Sequence, residues 1–232
     1  MSAPMLSRSP LPARSILKSD TETLGASDQD DVSIAPLGEA GDTTKSLAQL
    51  QVEIIKSAKR GYPILISAAA FFALIAGLGR VIPLHTLGLA WIFGMMVIFP
   101  LGVGLGSLLN ARVITTDNPL GNLGGLVAGA QAFFIPVFIV IYQFVPQYLP
   151  LAVGLLGGAH FLPYAWIYRS RAYVFVTLGT CLSALVLGIA FTSVAYTVVP
   201  LGMAAVFAIA VLWIVSENRR DLASSAGQKW LP

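Results

Sequence analysis

Residues 120 to 144 read LGNLGGLVAGAQAFFIPVFIVIYQF and contain no Asp, Glu, Lys or Arg. As an α-helix this stretch would be about 37 Å long, enough to cross the ~30 Å hydrocarbon core of a bilayer. The rest of the chain has a similar character, because 56% of its residues are hydrophobic and 11% are charged. Soluble domains carry about a quarter charged residues. The sequence therefore predicts an integral membrane protein.

Six apolar segments of near-span length follow one another, separated by short breaks of charged or turn-forming residues. The segments are 62–79, 86–109, 120–144, 149–168, 172–196 and 199–216. The predicted fold class is all-α: a polytopic transmembrane bundle of six helices over 62–216, preceded by a disordered tail and a short amphipathic helix. The sixth segment is short, so the last two segments could instead form one re-entrant hairpin.

The chain outside these segments divides into three parts. Residues 1–43 are rich in Ser, Asp, Gly, Pro and Thr and predict a disordered cytoplasmic tail. In residues 44–61, Leu47, Leu50, Ile54 and Ala58 recur at helical spacing among polar residues. This pattern predicts an amphipathic juxtamembrane helix that either rests on lipid headgroups or binds a protein partner. Residues 217–232 are predicted to form a short cytoplasmic tail.

The basic residues predict the orientation, because Lys and Arg that flank a span stay in the cytoplasm. With six crossings, all but one of the flanking basic residues fall on one side, and the other side holds Arg80. Both termini are therefore predicted to be cytoplasmic, in a bacterial inner membrane. The alternative is an organelle inner membrane, because residues 1–19 contain basic residues and serines but no acid, as transit peptides do. The basic residues on the predicted cytoplasmic side are Lys56, Lys59, Arg60, Arg112, Arg169, Arg171, Arg219 and Arg220.

Two polar side chains fall in the middle of predicted spans, where no charged residue does. The lack of a buried charge disfavours proton-coupled carriers, voltage sensors and retinal proteins. Gln131 lies eleven residues into the third span, and His160 lies eleven residues from the outer end of the fourth. Both are then about 16 Å deep. We expect the two spans to be antiparallel neighbours, with Gln131 and His160 either hydrogen-bonded to each other or facing one polar cavity.

Tyr164 and Pro163 belong to the same candidate substrate or gating site. Tyr164 lies one turn from His160 on the same face of the fourth span. Pro163 has no N–H to give to the carbonyl of Ala159, so it weakens the helix at this point. Two interpretations remain open: a hydrogen-bonded clasp between helices, or a site that contacts a solute, senses protons or gates a pathway.

No catalytic, metal or cofactor site is predicted. A zinc site needs three or four ligands, but Cys181 is the one cysteine and His85 is expected near the outer surface. The same separation of His85 from His160 disfavours bis-histidine haem, and the chain has no G-x-S-x-G element. The protein is therefore predicted not to be an enzyme. Its expected partner is the lipid bilayer, without nucleic acid.

Glycines spaced four residues apart predict close contacts between helices. We expect most of these contacts to lie within one chain, with a homo-oligomer through one glycine face as the alternative. The glycines are Gly102 and Gly106 in the second span, Gly121, Gly125 and Gly129 in the third, and Gly154 and Gly158 in the fourth.

Two segments, QVEIIKSAKRG at 51–61 and GAHFLP at 158–163, resemble a group of uncharacterised small bacterial membrane proteins with a G-x-H-F-x-P element in a middle helix. The resemblance covers residues 45–216 and implies no activity. Two functions therefore stand as hypotheses. The first is a transporter or channel for a small neutral or weakly polar solute, with a site around His160 and Gln131. The second is a non-transporting sensor or scaffold whose cytoplasmic N-terminal segment binds a protein partner.

Overall fold

The computed structural model describes residues 45–228. This part of the chain is helical and contains no strand. Six helical segments within it are long and apolar enough to cross a membrane. The predicted all-α bundle of six spans is thereby confirmed. The predicted tail at 1–43 and the alternative transit peptide at 1–19 lie outside the described residues.

The described part of the chain forms nine α-helices, joined by short loops and 3₁₀ turns. α1 precedes the bundle, and α2 and α3 form the first two spans. The third span consists of α4 and α5, the fourth of α6 and α7, and the last two are α8 and α9. Their bounds are α1 Leu47–Ala58, α2 Tyr62–Leu78, α3 Leu84–Leu108, α4 Pro119–Gly129, α5 Ile135–Phe144, α6 Leu149–Ala159, α7 Leu162–Ile167, α8 Arg171–Ala190 and α9 Ala195–Gln228.

The last helix is longer than the sequence suggested. α9 has 34 residues and continues beyond Ser216, where the sixth span was predicted to end. Glu, Arg and Ala favour helices, so the loss of apolar character at 217 marks a change of environment and not the end of the helix. α8 and α9 are each long enough to cross a bilayer, which favours two crossings over the re-entrant hairpin.

The main packing of the bundle involves α2, α3, α6, α8 and α9. α2 packs against α9 and α3, and α8 packs against α6 and α9. Phe72 of α2 stacks on Phe207 of α9 with ring centroids 5.7 Å apart, and the buried Trp91 of α3 meets Phe72 edge-on. The third span lies at the edge, because only 11% of its most apolar window is buried, against 44% in the sixth span.

The basic flanks of the spans lie together at one end of the bundle. The amide of Arg112 donates to the carbonyl of Ser57 at 2.8 Å, and Arg60 Nε donates to the carbonyl of Tyr168 at 3.3 Å. This grouping agrees with six crossings. That this end faces the cytoplasm stays a prediction. We call it the basic end; it includes Lys59, Arg60, Arg112 and Tyr168.

α1 docks on this basic end. Its start is fixed by a capping box, in which Ser46 and Gln49 exchange hydrogen bonds between side chain and backbone. Ile54 and Ala58, on its apolar face, are 2% and 0% exposed. The sequence predicted that this face would rest on headgroups or bind another protein. The rest of the same chain therefore covers the second half of this face, whereas Leu47 at its start is 49% exposed. That the helix rests on headgroups or binds another protein stays a prediction.

Candidate functional site

The fourth span is interrupted at His160. α6 ends at Ala159 and α7 begins at Leu162. Pro163 cannot donate to the carbonyl of Ala159, and the amide of Phe161 bonds to the carbonyl of Gly158 at 3.2 Å instead of one residue further back. The interruption therefore has a local cause in the sequence.

The ring of His160 bonds to a backbone carbonyl that the interruption leaves without its usual helical donor. Its Nδ1 forms a hydrogen bond to the carbonyl of Gly157, the group that an unbroken helix would pair with Phe161. A carbonyl only accepts, so Nδ1 carries the proton, and Nε2 of the neutral ring is an acceptor. Nε2 has no hydrogen-bond partner among the described residues, and the side chain is half-buried.

The third span is interrupted in a similar way at Gln131. A 3₁₀ turn at Ala130–Phe134 separates α4 from α5. Pro136, in the first turn of α5, has no N–H to give to the carbonyl of Ala132, so the regular α-helical pattern cannot pass through this point. Gln131 lies within the 3₁₀ turn and is half-buried. Both polar residues singled out from the sequence thus lie at breaks in their helices.

Of the two arrangements expected for Gln131 and His160, the direct hydrogen bond is not formed among the described residues. Within the described residues, Gln131 makes no hydrogen bond, and His160 uses its ring on Gly157 of its own span. The reason is local, since the break frees a carbonyl on the same span within hydrogen-bond distance of the ring. The alternative expectation, that the two side chains face one polar cavity, stays a prediction.

Tyr164 makes the contact between the third and fourth spans that was expected of His160. Its hydroxyl donates a 2.6 Å hydrogen bond to the carbonyl of Gly124, and α4 packs against α7 while α5 packs against α6. The two spans are therefore antiparallel neighbours. From this contact, Gln131 lies about 10 Å along one helix and His160 about 6 Å along the other, so the two breaks lie at a similar level.

Aromatic rings continue from His160 to the basic end. The ring centroid of His160 lies 6.3 Å from that of Tyr164, which stacks on Tyr168 at 6.0 Å. Tyr173 of α8 lies 5.5 Å from Tyr168 and donates a 2.6 Å hydrogen bond to the carbonyl of Arg60. These aromatic residues connect the interruption to the turn that follows α1.

The glycine faces differ in what they contact. A Cβ on Gly154 or Gly158 would overlap α8, and one on Gly102 would lie 2.7 Å from the Cα of Ile64 in α2. Gly106 and Gly121 instead lie against loop residues of the same chain. Nothing lies within 4 Å of a Cβ on Gly125 or Gly129, so the contact expected along that part of the third span is not made by the described residues.

A buried guanidinium lies where α1 joins the bundle. The side chain of Arg60 is 7% exposed, with Nη2 2.7 Å from a carboxylate oxygen of Asp221 and Nε 3.5 Å from one of Glu217. Its Nη1 donates to Asn218 Oδ1 at 2.6 Å. Sequence reasoning treated Arg60 only as a topology signal. The available clue was the pair Glu217 and Asp221, which lie four residues apart on one face of the last helix.

The turn that carries Arg60 is left-handed over three residues. Lys59, Arg60 and Gly61 have φ values of 49°, 56° and 65°. Each of the two non-glycine residues in this conformation costs roughly 1–2 kcal/mol. Other contacts must offset that cost, and the bonds of Arg60 to α9 supply them, together with a 2.7 Å bond from Lys59 Nζ to the carbonyl of Leu109.

A groove of about 310 Å³ opens near the basic end, away from His160. It follows the end of α3 and the next loop, and it is lined by Val103, Gly106, Ser107, Asn110, Ala111, Arg112, Val113 and Ile114. Within the part of the chain described, no group of three or more His, Cys, Asp or Glu side chains is placed to hold a metal ion.

A model of a family of unknown function, DUF7010, matches residues 47–217. The chain belongs to this family. The matched region begins with the first residue of α1, so the DUF7010 region includes α1 as well as the six spans. The expected relationship to an uncharacterised family is confirmed, whereas the G-x-H-F-x-P element is not shown to mark DUF7010. Searches of curated proteins and of solved structures give no match.

Proposed function

We propose that this protein provides a pathway for a small neutral solute across the membrane, along its interrupted third and fourth spans. One observation supports this most: both spans are broken at a similar level, each beside a proline and each at a polar side chain, Gln131 or His160. Irregular backbone at membrane depth is tolerated where it is buried in protein or lines a water-filled cavity. Discontinuous helices form the substrate sites of many transporters.

The chemistry at the breaks favours a solute that donates hydrogen bonds. Nε2 of His160 is an acceptor, and the carbonyl of Ala159 lacks its usual helical donor because residue 163 is proline. Gln131 offers both an amide oxygen and an amide N–H. Charged side chains do not occur in these two spans between Asn118 and Tyr168. A neutral molecule with N–H or O–H groups, such as a small amide or polyol, matches this set.

The sensor or scaffold function has weaker support from α1. Binding a protein through the apolar face of α1 would require that face to leave the bundle, because Ile54 and Ala58 are buried. The three side-chain or backbone bonds that α1 makes through Leu50, Gln51 and Ser57 would also have to break. We therefore place this function second.

Flux into vesicles tests the pathway. The purified chain is reconstituted into liposomes, and stopped-flow light scattering follows urea and glycerol entry. We expect flux above that of empty vesicles for at least one of the two. His160→Leu should reduce it at least tenfold, because the acceptor is lost. Leu182→Ala, a change on an exposed part of α8, should leave it unaltered. Flux no greater than that of empty vesicles for both solutes, or undiminished in His160→Leu, contradicts the proposal.

A further inference from the structure

We propose that α1 is a hinged latch: it closes the basic end of the bundle over α4 and α7, turns about Lys59–Gly61, and is fastened by Arg60. The latch goes beyond the proposed pathway because it concerns regulation. Its effect on flux rests on that pathway, whereas its movement does not.

Two adjacent residues of α1 join the basic ends of the interrupted spans. The side-chain amide of Asn118, which caps the start of α4, donates to the carbonyl of Leu50 at 2.9 Å. Gln51 Nε2 donates to the carbonyl of Trp166, in the last turn of α7, at 3.0 Å. α4 and α7 are the halves of the third and fourth spans that lie between the breaks and this end. Release of α1 would therefore remove one hydrogen bond from α4 and one from α7.

The turn between α1 and α2 has the properties of a hinge. Three successive residues, Lys59 to Gly61, adopt positive φ. Side-chain-bearing residues hold such a conformation only when surrounding contacts impose it, and residues of this kind recur in switch regions. Hinges are short connections that absorb changes in φ and ψ. Loss of the contacts would let Lys59 and Arg60 return to ordinary backbone angles, which would reorient α1.

Arg60 is the main fastening. It lies in the hinge itself, is 6% exposed, and contacts Glu217, Asn218 and Asp221 on α9. Asn218 Nδ2 also donates to the carbonyl of Lys59 at 3.0 Å, so backbone and side chain of the hinge are both held by one helix. Arg219, the next residue along α9, is exposed and takes no part in these contacts, which makes it a matched control.

Thiol labelling measures the movement directly. The parent carries Ala58→Cys and Cys181→Ser, which leaves one cysteine at a position that is 0% exposed when α1 is docked. A water-soluble maleimide is added to the full chain in detergent micelles, and the rate of modification is measured. Arg60→Gln should raise that rate at least tenfold. Arg219→Gln, which removes the same charge from an exposed position on α9, should leave the rate at the parent value.

A glycine pair gives a second comparison that keeps Arg60 intact. Gly61→Ala puts a Cβ at positive φ, 3.2 Å from the hydroxyl of Tyr173, and should also raise the labelling rate. Gly77→Ala adds a Cβ in open space within α2 and should not. Circular dichroism and gel filtration identify any variant that fails to fold. If folded Arg60→Gln and Gly61→Ala proteins label no faster than their controls, α1 is not a latch.

A disulfide connects the latch to flux. Because the Ser57 carbonyl accepts from the Arg112 amide at 2.8 Å, we expect Ser57→Cys and Arg112→Cys in the Cys181→Ser chain to pair on oxidation. Oxidation should lower urea or glycerol flux at least fivefold, and reduction should restore it. Unchanged flux in the oxidised protein would overturn the closing role of α1. If no form of the protein conducts either solute, the pathway proposal fails, and the labelling rates alone decide the latch.

Discussion

The hydroxyl of Tyr164 donates a 2.6 Å hydrogen bond to the backbone carbonyl of Gly124, joining the fourth span to the third between their breaks and the basic end. The ring packs closely on this glycine, because a Cβ at position 124 would lie 3.4 Å from it, an ordinary van der Waals distance. This contact is important because the third span is otherwise little buried. It holds the two breaks at a similar level.

Removal of that hydroxyl should loosen the third span. Tyr164→Phe loses the bond and leaves the Gly124 carbonyl without this donor, which should lower the free energy of unfolding by about 1–2 kcal/mol. Thermal or denaturant unfolding in detergent measures the change. Tyr148→Phe is the control, because the Tyr148 hydroxyl makes no hydrogen bond to any described residue and its side chain is 43% exposed. Equal stability of the two variants would show that the Tyr164 bond contributes nothing.

The glycine faces should differ in their tolerance of a methyl group. Gly154→Ala would place its Cβ into that of Ala184, so α6 and α8 must separate, at a cost of about 1–3 kcal/mol. Gly125→Ala meets no atom within 4 Å and should change stability by less than about 1 kcal/mol. The same unfolding assay compares them. A larger loss for Gly125→Ala than for Gly154→Ala would indicate that the Gly125 face is packed against another molecule.

The predicted orientation is tested by single cysteines at the two ends of the bundle. Val81 and Leu222 are 75% and 72% exposed, and they belong to the predicted outer and cytoplasmic sides. In a Cys181→Ser chain in intact bacterial cells, an impermeant maleimide should label Val81→Cys at once. It should label Leu222→Cys only after the cells are permeabilised. The opposite pattern would place both termini outside the cell. It would show that the basic residues do not mark the cytoplasmic side of this protein.

The spans and their order followed from the sequence for two reasons. The thickness of the hydrocarbon core sets the length of each span, and the basic flanking residues fall on one side only when the number of crossings is even. The positions of the breaks were also foreseeable in part: Pro163 was expected to weaken the fourth span beside His160. Pro136 has the same effect in the third span, but its role was not recognised from the sequence.

The partners of the polar groups could not be derived in the same way. Depth alone suggested that His160 and Gln131 would either pair or share a polar cavity. A broken helix also offers its own carbonyl at Gly157, and the histidine ring bonds there. The docking of α1 was missed for a related reason. An amphipathic pattern shows that one helix face must be buried. It does not show whether lipid, a protein partner or the chain's own spans bury it.

The most direct test of the proposed pathway asks whether water reaches the break in the fourth span. His160→Cys in the Cys181→Ser chain, reconstituted in liposomes, is treated with a small charged methanethiosulfonate, which reacts with thiols in contact with water. Leu182→Cys is the control, since Leu182 is 56% exposed on α8 at a comparable distance from the basic end. We predict that the cysteine at position 160 reacts at least ten times faster than the one at 182. Equal or slower reaction at position 160 would contradict a solute pathway along the interrupted spans.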